Sequence, residues 1–121
     1  MVFPRLHFFT LTRLSLFAMS IEAKLEEMNL ILPPPPPQAG VYQSMLLVGD
    51  HAYFSGHVPL LADGSMLTGK VGEEVDLEGA QAAARQVGLC ILATAKDTLG
   101  SLDRIRRVVK ILGMVNSTLD F

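Results

Sequence analysis

Cysteine is almost missing: Cys90 is the single one in 121 residues. No internal disulfide can form, and a thiolate-based zinc site has no ligand set. Such usage suits a reducing compartment. Charge is sparse as well, with 18% charged residues and a net charge of −2. That balance gives no global attraction to nucleic acid or to an anionic membrane surface. Long apolar runs are also lacking: a membrane span needs ~20 of them, and Arg13 interrupts the one near the start. Acidic residues do not occur before Glu22. What is present in quantity is hydrophobic side chain, half of the total. This length supports one packed domain and is short for two.

The opening stretch, MVFPRLHFFTLTRLSLFA, differs from the remainder of the chain. Free of acid, it contains Arg5 and Arg13 and hydroxyls at Thr10, Thr12 and Ser15, a composition close to a mitochondrial transit peptide. The other reading is an upstream start, with Met19 as the initiator. A secretory signal comes third, because its apolar region would be split by Arg13. Residues 1–19 are therefore expected to be a leader, and the protein to be cytoplasmic or mitochondrial.

From Ser20 the pattern turns helical. Ser20 can cap, Glu22 suits the positive end of the helix, and Ile21, Leu25 and Met28 make an apolar stripe. Pro33 to Pro37 then stop the helix and favour a stiff polyproline II segment. No flanking basic residue marks it as a ligand for a proline-binding module, so residues 20–39 read as a helix and a spacer. The compact part begins at Gly40. VYQSMLLV (41–48) reads as a strand, Gly49-Asp50 as a tight turn, and HAYFSGHV (51–58) as the partner strand. Leu60 to Gly72 is loop with a short extended piece near Met66–Thr68. Asp76 should cap a long helix with Leu77, Ala80, Ala84, Val87, Ile91, Ala95 and Leu99 along its core face, ending at Gly100. RIRRVVKILGMV (104–115) is β-branched and reads as another strand.

Few residues carry reactive chemistry. On a strand, His51 and His57 stand ~20 Å apart at ~3.3 Å per residue, too far to share one ion. Neither a metal nor a cofactor is expected. GSMLTGKV (64–71) follows the phosphate-loop spacing until Val71 replaces the magnesium-binding hydroxyl, and Glu73 and Glu74 would then repel phosphates. Arg104, Arg106, Arg107 and Lys110 lack the interleaved aromatics of an RNA-reading sheet. Cys90, one position from the core stripe, reads as a small buried hydrophobe. Ser55 and Gly56 lie where a strand leaves its sheet. There a hydroxyl and a bare backbone amide face a small ligand, or glycine and proline simply end the strand.

The run GVYQSMLLVGDHAYFSGHVPLLADGSMLTGKVG resembles the RidA (YjgF) family of imine deaminases. The resemblance rests on Gly40-Val41-Tyr42, on Ser55-Gly56-His57-Val58-Pro59, on Asp63-Gly64 and Thr68-Gly69, and on Leu102-Asp103-Arg104-Ile105-Arg106-Arg107-Val108-Val109-Lys110 after a long helix. SIEAKLEEMNLILPPPP is most similar to the branch described as the endoribonuclease L-PSP/chorismate mutase-like domain. The likeness covers about residues 20 to 121. It implies an α+β, chorismate mutase-like fold with a sheet packed on a long helix, and a homotrimer with ligand pockets between subunits. The implied activity is hydrolysis of 2-imino or enamine acids to 2-keto acids and ammonia. The implied substrate-binding residues are Tyr42, Ser55 and Gly56.

His57 stands where the family usually has glutamine. The family's carboxylate-clamping arginine and water-orienting glutamate fall beyond Phe121, so no residue here is assigned as catalytic. Residues 40–121 are accordingly expected to be a partial domain lacking its C-terminal part, marginally stable and inactive alone. The alternative is a non-catalytic small-ligand-binding or interaction module of the same fold, with endoribonuclease a distant third.

Overall fold

A computed structural model of the chain describes residues 19–38 and 40–121. Residues 1–18 of the expected leader, with the transit-peptide reading, lie outside the described residues. The elements are α1 (Ile21–Glu27), β1 (Met45–Val48), β2 (His51–Phe54), α2 (Leu77–Leu99) and a 3-10 turn (Leu102–Arg104). The chain is thus mixed α/β, a two-stranded sheet beside one long helix.

The hairpin forms where expected but is shorter. β1 and β2 pair antiparallel from Met45↔Phe54 to Val48↔His51. Gly49 has φ 60° at the first central position of the turn, a backbone that glycine enters without steric cost. One further ladder bond, Ser55 N–H to Ser44 O at 3.0 Å, continues the pairing. Beyond it side chains take over the polar groups: Ser55 Oγ donates to Gln43 O at 2.7 Å. Residues 41–44 and 55–58 therefore leave the sheet.

α2 is capped at both ends as the sequence predicts. Asp76 accepts the Gly79 N–H at 2.8 Å, and Gly100, at φ 80°, donates to Lys96 O at 2.8 Å. Its core face matches the expected one in part, since Ala95 lies in the core and Leu99 packs against it. Leu77 is 63% exposed, whereas Cys90, Ala93, Thr94 and Ala95 are buried. Burial also extends to the Gln86–Cys90–Thr94 side, where the loop after β2 covers small and polar residues. Gln81, Arg85, Lys96 and Asp97 do face solvent.

The expected strand at 104–115 is absent. β-branched residues favour an extended backbone, but a strand exists only against a ladder partner. Among the described residues no strand lies beside this segment, and Val109, Ile111 and Leu112 are 78%, 74% and 77% exposed. Pairing resumes three residues after Gly113, where Val71 N–H donates to Asn116 O and Thr118 N–H donates to Val71 O, both at 2.9 Å. In the phosphate-loop lookalike, the Lys70 N–H donates to the Glu74 carboxylate and Lys70 Nζ pairs with Glu73. The amide and ammonium that would hold a phosphate are already bound to acids.

The core is small: Met45, Ala95 and Leu102, fringed by Ile21, Leu25, Leu32, Leu92, Leu99 and Ile105. α1 is fixed to it by a reciprocal latch. Ser20 caps its own helix through the Ala23 N–H. Asp103 Oδ1 accepts the Ile21 N–H at 2.7 Å, and Glu22 Oε1 accepts the Leu102 N–H at 3.0 Å. Each carboxylate thus caps an element about 80 residues away in sequence. The Leu102 N–H, foremost, holds the Glu22 carboxyl below the usual glutamate range, with help from the Lys96 charge and Ser101. Because this pKa is depressed by folding, the stabilisation is complete above the ordinary glutamate value of about 4.3 and is lost as pH falls through the lower folded value. Amide protection factors across Ile21–Glu27 should therefore fall below about pH 4 while the centre of α2 stays protected, and Glu22→Gln should flatten that response.

Candidate small-ligand site at the end of the hairpin

Three residues after the last β2 position, the chain has crossed from the sheet to α2, and polar side chains fix that crossing. His57 Nδ1 lies 2.8 Å from Ser55 O, and its Nε2 lies 2.9 Å from Thr94 Oγ1. A carbonyl only accepts, so Nδ1 carries a proton; in the neutral tautomer Nε2 then accepts from the Thr94 hydroxyl. Thr94 is 4% exposed, so this hydroxyl is a buried polar group with a partner. Leu60 O is fastened to the same helix by Gln86 Nε2 at 2.6 Å and by Cys90 Sγ at 3.4 Å. Gln86, Cys90 and Thr94 recur every four residues, so they form one seam along one face of α2. Cys90 is buried as expected, but as a rung of this seam and not only as an apolar filler.

Beside the crossing, Gln43, Leu46, Tyr53, Phe54 and Ser55 line an open hollow of about 410 Å³. Ser55 stands at its end with its hydroxyl proton committed to Gln43 O. The lone pairs of Oγ therefore remain as acceptors. Phe54 meets the His57 ring edge-on at 6.2 Å. A Cβ added to Gly56 would touch nothing within 4 Å. Tyr42, one residue before Gln43, is 44% exposed and is not among the lining side chains. Of the three residues singled out in the sequence, Ser55 lines the hollow and Gly56 follows it; Tyr42 lies on the approach to β1. No charged side chain lines this hollow.

Sequence reasoning did not find Thr94, Gln86 or Gln43. Their only signal was the four-residue spacing of Gln86, Cys90 and Thr94, hidden among alanines. His51 sits in β2 with its side chain exposed, and among the described residues no group of histidine, cysteine and carboxylate side chains could hold a metal ion. Arg104 is engaged with a carbonyl, Leu99 O at 3.0 Å.

The geometry and the fold together define a class: a mixed α/β chain in which a hairpin end and a long helix frame a small hollow. Solved structures share this fold, among them two of related sequence. A crystal structure from Shewanella oneidensis MR-1, provisionally described as an endoribonuclease, superposes with a TM-score of 0.68 at 31% identity, over 72% of this chain and 58% of that one. A protein described as of unknown function from Agrobacterium tumefaciens gives 0.64 at 37% identity, over 74% and 55%. In sequence, the Trypanosoma cruzi protein TCP17 is 34% identical over 101 residues, 84% of this chain and 63% of that protein. The chain spans less than two thirds of the length of each of these proteins. No family model matches it.

Proposed function

We propose that this chain carries part of a small-molecule pocket of the RidA/YjgF type, whose substrates are reactive 2-imino and enamine acids. The observation that carries the reading is the Ser55 hydroxyl, pinned by Gln43 O and left with free lone pairs over an apolar hollow. Such an acceptor suits an iminium N–H or an attacking water. Hydrolysis then runs by addition of water to the imine carbon and collapse of the carbinolamine. The C–N bond breaks, ammonia leaves, and a 2-keto acid remains. Tyr42 and Gly56 are proposed to border the ligand, and the pocket to close between subunits of a homotrimer. The partners proposed are small imino acids, with neither nucleic acid nor membrane, in the cytoplasm or mitochondrion.

A charged group to hold the substrate carboxylate is absent from the hollow's lining. The 121-residue chain is therefore expected to leave 2-iminobutanoate hydrolysis at the buffer rate, followed as 2-keto acid and ammonia. The same protein expressed from a reading frame as long as its relatives should raise that rate at least tenfold, and Ser55→Ala should remove most of the gain. A long form no faster than buffer sinks the deaminase reading. It would favour a non-catalytic binding module, which equilibrium dialysis against 2-oxobutanoate would detect. Cleavage of single-stranded RNA by the long form would favour the activity suggested by the Shewanella protein's description.

A further inference from the structure

A second hollow, of about 380 Å³, lies between the polyproline segment and the last turns of α2. Pro35 and Pro36 form one wall; Gln43, Thr94, Asp97 and Thr98 contribute to the other. Asp97 is the only charged residue in this lining, and among the described residues its carboxylate makes neither an ion pair nor a hydrogen bond. The neighbouring Lys96 bears on Glu22. Asp97 also sits where a helix disfavours an anion. α2 is 23 residues long, and the partial negative charge of its C-terminal end adds to the carboxylate instead of offsetting it. Asp97 is exposed, so its carboxylate is hydrated and open to a cation arriving from solvent.

We infer that this hollow binds a small primary ammonium compound. An ammonium group has three donors and no acceptor. The lining offers a carboxylate together with the acceptor-bearing residues Gln43 and Thr98, while the prolines give an apolar surface for an alkyl stem. A metal ion fits less well, because one carboxylate supplies too few anionic oxygens for calcium or magnesium. The polyproline segment is then the wall of a site, not only a spacer. The two hollows share Gln43, but binding here rests on Asp97 and survives if Ser55 proves irrelevant.

The test is a two-dimensional ¹H–¹⁵N NMR titration of the 121-residue chain with ethylammonium chloride, against sodium chloride at equal ionic strength. Saturable shifts are expected at the Gln43, Thr94, Asp97 and Thr98 amides, with a dissociation constant in the millimolar range, as suits one exposed ion pair and a few hydrogen bonds. Asp97→Asn should weaken binding several-fold, and Asp50→Asn, which removes the same charge from the hairpin turn, should not. Thr98→Val, expected to cost a few-fold, keeps the question answerable should the Asn variant fold poorly. Shifts that grow without saturation, undiminished binding in Asp97→Asn, undiminished binding in Thr98→Val, or tighter binding of calcium at these amides would each overturn the inference.

Discussion

Leu102→Ala is expected to cost about 2–5 kcal/mol, the largest loss that any one truncation among the described residues should produce. Leu102 is 0% exposed and is, with Cys90, one of the largest fully buried side chains. Its neighbours in the core are Met45 and Ala95, and an alanine cannot move to refill the space left by an isobutyl group. The cost therefore includes both the transfer term and the cavity. Domains of this size hold about 5–15 kcal/mol in total, so this one change removes a large share. The backbone bond from Leu102 N–H to Glu22 survives the substitution, which isolates the packing effect. Urea unfolding followed by circular dichroism gives the number. Leu112→Ala, at a residue 77% exposed, is the matched control and should stay within about 0.5 kcal/mol. Equal midpoints for the two variants would show that the core lies elsewhere.

Thr94→Val comes second. The change is nearly isosteric but deletes the hydroxyl that donates to His57 Nε2. A lost neutral hydrogen bond costs about 1 kcal/mol, and a lone pair left half-buried without a partner raises this to about 2 kcal/mol. The damage should be local. Exchange of the amides from Ser55 to Leu60 should quicken, because His57 no longer ties that crossing to α2, while the middle of α2 keeps its protection. The imidazole ¹⁵N shifts supply a readout that mere loosening would not move. The wild-type ring should show a protonated Nδ1 and a hydrogen-bonded bare Nε2, and the valine variant should lose the second signature. Thr94→Ser, which keeps the hydroxyl, should restore both. If the serine variant behaves like the valine one, the hydrogen bond is not what holds the crossing.

The sequence made some of this legible because some signals are local. Ser20, Asp76 and Gly100 act within a few residues of themselves, and all three cap as their identities suggest. Gly49-Asp50 marks the hairpin for the same reason. The strand expected at 104–115 failed because strandedness belongs to a pair of segments, and composition describes only one of them. The expected core face of α2 holds at Ala95 and Leu99 but not at Leu77, because periodicity counts apolar residues. What extended it was the loop that settled on Gln86, Cys90 and Thr94, two of them polar. For the site, the Ser55-Gly56 step was visible as the end of a strand. The tie from Ser55 to Gln43, and the seating of His57 on Thr94 thirty-seven positions away, were not. No spacing rule links residues that meet only after the chain has folded.

The latch between α1 and the 3-10 turn sets an order of events in folding. Its two bonds join positions 80 and 82 residues apart, so closing it costs chain entropy that only a preformed α2 and turn can reduce. A helix of 7 residues is too short to persist in water by itself. During synthesis α1 leaves the ribosome long before its docking partner and must wait, unstructured, until Asp103 has emerged. It is made before the turn that holds it and folds after that turn.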